Sequence, residues 1–203
     1  MKIICVGRNY ANHIEELKNE RPSEPVVFMK PDSAVLLKQH PFVIPEFSED
    51  VHHEIEIIVK INKVGKYIEP KFASKHYDEI SVGIDFTARD LQSKLKEKGL
   101  PWEKAKAFDG SAVIGDFLPK TDFVSMENLN FELRRNDETV QKGNSEMMLW
   151  KIDELISHVS QFFTLKIGDI IFTGTPEGVA AVKPNDVLEG FLEDKKLFRI
   201  QVK

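Results

Sequence analysis

Residues 52 to 56 read His-His-Glu-Ile-Glu at the start of an apolar run. Side chains on a strand alternate between its faces, so Glu54 and Glu56 point the same way. Two ionised carboxylates about 4 Å apart repel by roughly 1 to 4 kcal/mol, more when buried, so a half-buried pair calls for a cation or a shared proton. A third carboxylate, Asp85, ends another apolar run carrying Val82 and Ile84, where the sequence turns into a polar helical pattern. Three carboxylates without a Cys or His set favour a hard cation, Mg²⁺ or Mn²⁺, over Zn²⁺. His52 shares the strand face of Glu54 and Glu56, which leaves open a two-histidine, one-carboxylate iron site completed by a histidine from elsewhere. With 33 acidic residues in 203, an acidic pair at a spacing of two also arises by chance, and only its partner at Asp85 lends it weight.

Two further segments carry groups for acid–base work. In "VGRNYANHIEEL" a strand and a Gly-Arg-Asn turn lead into a helix with His13 and Glu16 three residues apart, hence neighbours on one face. A carboxylate on one imidazole nitrogen fixes the tautomer and leaves the other nitrogen free to take a proton from water. As an isolated pair on an acidic helix they read more readily as a solvated face. Lys106, in "WEKAKAFDGSAVIG", is undistinguished by itself. In "KIGDIIFTGTPEGV" a strand passes into a loop where Gly174 and Gly178 allow close backbone approach. Thr173 and Thr175 there offer hydroxyl and N–H groups for a carboxylate or oxyanion, unless the loop is a plain turn.

The elements that must hold these groups are mostly strands. "KIICVG", "VVFMK", "AVLL", "EIEIIVKI", "ISVGIDF", "LNFELRRN", "DIIFTG", "DVLEGFL" and "LFRIQVK" are short, rich in Val, Ile and Phe, and separated by Gly, Pro, Asn or Asp. Helical patterns cover Tyr10 to about Glu20 behind an Asn9 cap, Thr87 to Lys98, and Ser145 to about Phe162. In the last, Met148, Ile152, Leu155, Ile156, Val159 and Phe163 share an apolar face, while His158 and Trp150 read as packing or surface groups. "NDETVQKGNS" reads as a hairpin with its turn at Lys142-Gly143-Asn144.

The length suits one sizeable core and no linker composition divides it, so residues 1–203 read as a single domain. Hydrophobic content of 41%, charged content of 30% and a net charge of −5 give an ordinary soluble composition with no basic patch for nucleic acid. Cys5, the one cysteine, sits in an apolar run as a small buried hydrophobe, and no disulfide can form within the chain. The apolar part of the N-terminal segment is too short for a signal peptide and no run approaches 18 apolar residues, which predicts a cytoplasmic protein without membrane contact.

Taken in order, "VGRNYANHIEEL", "PVVFMKPDSAVL", "HHEIEIIVKI", "GIDFTARDLQ", "GLPWEKAKAFDGSAVIG" and "GDIIFTGTPEGV" resemble the fumarylacetoacetate hydrolase family. The resemblance covers nearly the whole chain and is strongest to the short branch of acylpyruvate hydrolases and oxaloacetate decarboxylases. It implies an α+β, mainly β fold of the mixed β-sandwich roll type, a homodimer, and a small 2-oxo acid as substrate. By the same resemblance Glu54, Glu56 and Asp85 are ligands for Mg²⁺ or Mn²⁺. His13 and Glu16 act on a water, Lys106 is the third catalytic residue, and Arg8, Lys30, Arg89, Gln92 and Thr175 contact substrate. The activity implied is metal-dependent cleavage of a C–C bond in an acylpyruvate, giving pyruvate and a carboxylic acid. The alternatives are oxaloacetate decarboxylation and hydration or tautomerisation of a 2-oxo-4-enoate on the same site. The sequence departs from the family pattern at Ala180, where many relatives carry Gly, and after Phe108, where "DGSAVIG" stands in place of a stretch that often carries Pro.

Overall fold

The Val-, Ile- and Phe-rich runs pair into three sheets, described over residues 1–203 of a computed structural model. In chain order the elements are β1 (Ile3–Gly7), α1 (Ala11–Glu16), β2 (Val26–Lys30), β3 (Val51–His53), β4 (Ile55–Ile61), α2 (Pro70–Ala73), β5 (Tyr77–Asp85), β6 (Thr87–Ala88), α3 (Arg89–Glu97), α4 (Glu103–Lys106), β7 (Ala112–Ile114), β8 (Leu118–Pro119), β9 (Asn130–Arg135), β10 (Glu138–Asn144), α5 (Ile152–Phe162), β11 (Ile170–Phe172), β12 (Ala180–Ala181), β13 (Val187–Leu192) and β14 (Lys195–Gln201). The largest sheet runs β2-β1-β11-β4-β5-β7, with β8 also on β5; β10-β9-β13-β14 form the second and β12-β3-β6 the third. Beyond β2 the chain returns to the far edge of the large sheet, where Val35 bridges Ala112 of β7 and Leu36 N–H donates to Ala112 O at 2.8 Å. That contact curls the sheet into a roll, in keeping with the expected α+β, mainly β class.

Both faces of β4 are covered, which is why its sequence is a continuous apolar run. Ile55, Ile57 and Val59 lie opposite Ile84, Val82 and Ile80 of β5. Together they pack against Phe131, Leu133, Leu188 and Leu192 of the second sheet and against Ile152, Ile156 and Val159 of α5. Each such side chain contributes about 1.5–3 kcal/mol on burial. The opposite face fills the inside of the roll with Ile3, Cys5, Ile58, Ala112, Ile170 and Phe172. Glu56 lies on the same strand face as Ile58 and so points into that interior. Cys5 is fully buried there.

Several boundaries differ from the sequence reading. Asn9 does not cap α1; its buried carboxamide donates to Thr173 O (2.7 Å) and Trp150 O (3.0 Å) and accepts from Trp150 N–H (2.8 Å), tying three distant segments together. The helix stops at Glu16, and Lys18 turns left-handed. Thr87 and Ala88 pair with β3, so α3 begins at Arg89. The third helix begins at Ile152, because the Lys151 ammonium takes the Glu146 and Met148 carbonyls that a longer helix would need, at 2.6 and 3.3 Å. The hairpin turn lies at Asn136-Asp137, both with positive φ (53° and 69°), as a two-residue turn of this hand requires. Lys142, Gly143 and Asn144 lie inside β10, where a Cβ on Gly143 would sit 2.5 Å from the Phe131 ring. No helix is long and apolar enough to cross a membrane.

Candidate active site

At one end of β4 and β5 the apolar pattern gives way to charge. Glu56 faces Gly83 near the start of β4, Asp85 ends β5, and Glu54 fills the break between β3 and β4, its carbonyl accepting the Asp85 N–H at 2.9 Å. The three carboxylates bring oxygen atoms within 4.8 Å of one another and are 4%, 2% and 0% exposed. Gln141 holds the break in place: its Oε1 accepts from Ile55 N–H (3.1 Å) and pairs with His53 Nδ1 (2.8 Å). Its Nε2 donates to Thr175 Oγ1 (3.0 Å) and Pro176 O (3.2 Å), which fastens the Gly174–Gly178 loop to the same point. Burial pushes His53 down to about 4, so it stays neutral as this network needs.

Three cations answer the three carboxylates. Lys106, at the end of α4, donates to Glu54 Oε2 (2.8 Å), Asp85 Oδ2 (2.7 Å) and Thr87 Oγ1 (2.6 Å). Arg89 pairs with Glu54 Oε1 and donates to Gln92 Oε1 at 2.7 Å. Lys30 is enclosed with no exposed side-chain surface, bonded to Lys106 O and to Ser111 Oγ at 3.0 Å. Its ammonium lies 2.7 Å from Asp85 Oδ1 but off the hydrogen-bonding direction, so that oxygen is a buried acceptor with no donor. Burial opposes ionisation of Glu54, but Lys106 and Arg89 outweigh it and hold the carboxyl well below the usual range. Glu56 goes the other way: burial, then Asp85, then Glu54, push it well up, against one N–H from Gly174 at 2.6 Å. Lys106 is shifted up, because Asp85 and Glu54 overcome the cost of burying its charge.

This donor set fits a hard divalent cation. It is all oxygen, it contains a buried acceptor without a hydrogen-bond donor, and burial with the nearby Asp85 and Glu54 raises the Glu56 carboxyl, a penalty that a cation among the three would offset. The two-histidine iron alternative is not assembled: no histidine belongs to the group, and His52 Nε2 is turned to Asp50 Oδ1 at 2.9 Å.

Facing the carboxylates across a cavity of about 40 Å³ stands His13 of α1, 6% exposed. Its Nδ1 lies 3.2 Å from Glu16 Oε2, and Glu16 Oε1 accepts the Gly178 N–H at 3.0 Å. A carboxylate only accepts, so the proton sits on Nδ1 and Nε2 is left to take one. Burial lowers the affinity of His13 for a second proton; the charge of Glu54 and the bond to Glu16 oppose this without cancelling it. The two loop glycines serve two different groups. Gly174, at φ +101°, gives its N–H to Glu56 where a Cβ would sit 2.7 Å from Asn9 Cβ, and Gly178, at φ +94°, gives its N–H to Glu16.

Arg8, Arg89, Gln92 and Thr175 line the same cavity, as do Lys106 and His13, whereas Lys30 lies behind the wall. Sequence reasoning missed three contributors. Thr87 lies inside "GIDFTARDLQ" but reads there only as the start of a helix, and Gln141 carries no local signal at all. The third is an aromatic wall of Phe28 and Trp102, whose rings meet edge-on at 6.0 Å, with the Lys106 ammonium 5.1 Å from the Phe28 ring. Of the family departures, Ala180 pairs with His53 in β12, and the altered stretch after Phe108 supplies Ser111, a partner of Lys30.

Residues 2–202 match the family described as fumarylacetoacetate (FAA) hydrolase C-terminal. An oxaloacetate tautomerase of Escherichia coli (strain K12) is 42% identical over 188 residues, covering 92% of this chain and 86% of the relative. A mitochondrial oxaloacetate decarboxylase of Dictyostelium discoideum is 42% identical over 189 residues, covering 93% and 87%. Among solved structures, a fumarylpyruvate hydrolase from Pseudomonas aeruginosa in complex with Mn²⁺ and pyruvate superposes with a TM-score of 0.93 at 36% identity, over 100% of this chain and 89% of that one.

Proposed function

The chain belongs to the fumarylacetoacetate hydrolase family, and on that premise we propose that it acts on oxaloacetate, interconverting keto and enol forms, with decarboxylation as a related outcome at the same site. The observation that carries this reading is the buried Glu54, Glu56 and Asp85 group with a neutral, oriented His13 across the cavity. Glu54, Glu56 and Asp85 would hold Mg²⁺ or Mn²⁺, which supplies a Lewis acid for the oxygens of the 2-oxo acid. His13 Nε2 takes the proton from C3 of the keto form, and the same imidazolium returns it to the enolate oxygen or to C3. Glu16 keeps the imidazole in the tautomer that can do this, and the Gly178 N–H keeps Glu16 in place. Lys106, kept charged by Asp85 and Glu54, sets an ammonium beside the oxygen on which negative charge collects. The relatives named for oxaloacetate support this substrate.

A second reading, hydrolytic C–C cleavage of an acylpyruvate, draws on the same His13–Glu16 pair, which is equally placed to take a proton from water, and on the likeness to the fumarylpyruvate hydrolase. One experiment separates the two. Metal-stripped protein is restored with Mg²⁺ or Mn²⁺, and the ultraviolet absorbance of enol-oxaloacetate is followed beside pyruvate release from acetylpyruvate. Metal-dependent loss of the enol signal faster than pyruvate release supports the oxaloacetate reading. Faster release from acetylpyruvate, with oxaloacetate inert, replaces it with the hydrolase.

A further inference from the structure

The cavity has a second charged region beyond the carboxylates. Arg89, Gln92 and Lys96 stand at i, i+3 and i+7 on α3, so they share one face, and all three line the cavity. Arg89 marks the metal end through its pair with Glu54. Lys96 lies one turn beyond Gln92, about 6 Å further along the axis, and helical side chains lean back toward the N-terminus, which returns its ammonium toward Gln92. Its Nζ donates to Asn19 Oδ1 at 2.7 Å, a neutral acceptor from the segment after α1. Arg8 reaches the same cavity from the turn after β1, in a left-handed conformation (φ 59°). Neither Arg8 nor Lys96 makes an ion pair, and every acid lining the cavity is one of the three carboxylates at the other end. Burial, Arg8 and Arg89 together lower the proton affinity of Lys96, as expected where like charges face one another without an anion between them.

We infer that Lys96, supported by Asn19 and Arg8, reads the distal carboxylate of a dicarboxylic 2-oxo acid and so selects it over a monocarboxylic one. The inference rests on the reading of the cavity as a 2-oxo acid site, and it adds the part that measures the far end of the substrate. The two carboxylates of oxaloacetate are joined by three carbon–carbon bonds of about 1.5 Å each, whereas Arg89 and Lys96 are about 10 Å apart along the axis of α3, so the long Arg89 and Lys96 side chains reach toward one another to close the difference. A ligand whose 2-oxo acid end meets the Glu54, Glu56 and Asp85 group and whose chain runs along α3 brings its second carboxylate to Lys96.

The test compares wild type, Lys96→Met and Lys96→Arg, each with Mg²⁺ restored. For oxaloacetate, Lys96→Met is expected to raise KM roughly five- to thirty-fold with kcat little changed, and Lys96→Arg to recover most of that loss. Competitive inhibition by pyruvate, which has the same 2-oxo acid end and no distal carboxylate, should move by less than about two-fold, within the reach of an exposed charge acting at a distance. An unchanged KM, or an equal weakening of oxaloacetate and pyruvate, overturns the inference. Calorimetric binding of 2-oxoglutarate against 2-oxobutanoate, an unreactive pair differing by one carboxylate, keeps the result independent of turnover. If oxaloacetate is inert but 2-oxoglutarate binds more tightly than 2-oxobutanoate only when residue 96 is cationic, the proposed activity fails and the inference stands. If the two bind alike in wild type, the inference fails.

Discussion

Buried carboxylates sit at both ends of β11, and they are treated in opposite ways. At its start Asp169, 2% exposed, accepts from Lys2 N–H and Lys166 N–H, each at 2.8 Å, and pairs with the Lys2 ammonium, so its carboxyl lies below the usual range despite burial. Beyond its end Glu56 receives one N–H from Gly174 and lies close to Asp85 and Glu54, which with burial push it up. A carboxylate whose acceptor sites are filled by local backbone and one lysine is a fastening. One surrounded by other carboxylates and given few donors is held at a cost in stability, where the fastening contributes stability. Both are 2% exposed, so the difference lies in their surroundings: Asp169 has two backbone donors and a lysine, while Glu56 lies deeper, with one donor and two carboxylates.

The most severe way to break this contrast is at Glu54. Glu54→Gln should abolish metal-dependent turnover while leaving the melting temperature within a few degrees of wild type, read by an enol-loss assay and a thermal melt on one preparation. Full activity would remove Glu54 from the site. Next is His13→Ala, expected to lower kcat by roughly two to four orders of magnitude, the range for a lost general base. Burial lowers the His13 proton affinity from the ordinary 6.5, and the base must be neutral. Wild-type rate should therefore stay level through neutral pH and fall only below that value; a descending limb centred at or above 6.5 would contradict the environment described.

At the other end, Asp169→Asn should leave kcat unchanged and cost about 1.5–3 kcal/mol in urea unfolding, the usual loss for hydrogen bonds to a charged group. Because the folded-state value is depressed, this stabilisation is complete above the unfolded value of 3.8 and is lost as pH falls through the folded one. The gap between wild type and variant should close in acid, and a gap that widened there would reverse the assignment. The smallest effect compares two glycines. Gly168 (φ +87°) has no atom within 4 Å of a built Cβ, so Gly168→Ala should cost only the roughly 1–2 kcal/mol of a left-handed residue and spare activity. Gly174→Ala adds a 2.7 Å clash with Asn9 next to the N–H that Glu56 uses, and should also lose turnover. Equal behaviour of the two would show that crowding at Gly174 is of no consequence.

What the residues themselves gave followed local rules, while the family resemblance supplied Lys106, Arg8, Arg89, Gln92 and Thr175, which line the cavity. Alternation put Glu54 and Glu56 on one face, helical spacing joined His13 to Glu16, and the apolar stripe of α5 from Ile152 to Val159 is buried as its spacing requires. Reading failed where a side chain serves a distant segment. Asn9 has the makings of a cap but is occupied by Thr173 and Trp150, and "KGN" has the makings of a turn but Gly143 is small for the sake of Phe131. Gln141 is a plain amide in a plain strand, and its importance exists only once β3 and the Thr175 loop lie on either side of it. The family resemblance assigns Lys30 to substrate; its ammonium lies inside the roll beside Asp85, Ser111 and the Lys106 carbonyl.

The hydrogen bonds that complete the cavity span much of the chain: Gly174 meets Glu56 across 118 positions, and Gly178 meets Glu16 across 162. Contacts of such separation close late, because loop entropy must be overcome before they form. During refolding, pairing of β4 with the nearby β5 can therefore run ahead of any capacity to retain a divalent ion. Enzyme diluted from urea into Mg²⁺ should regain its strand signal first and its turnover after a lag, and excess metal should not shorten that lag.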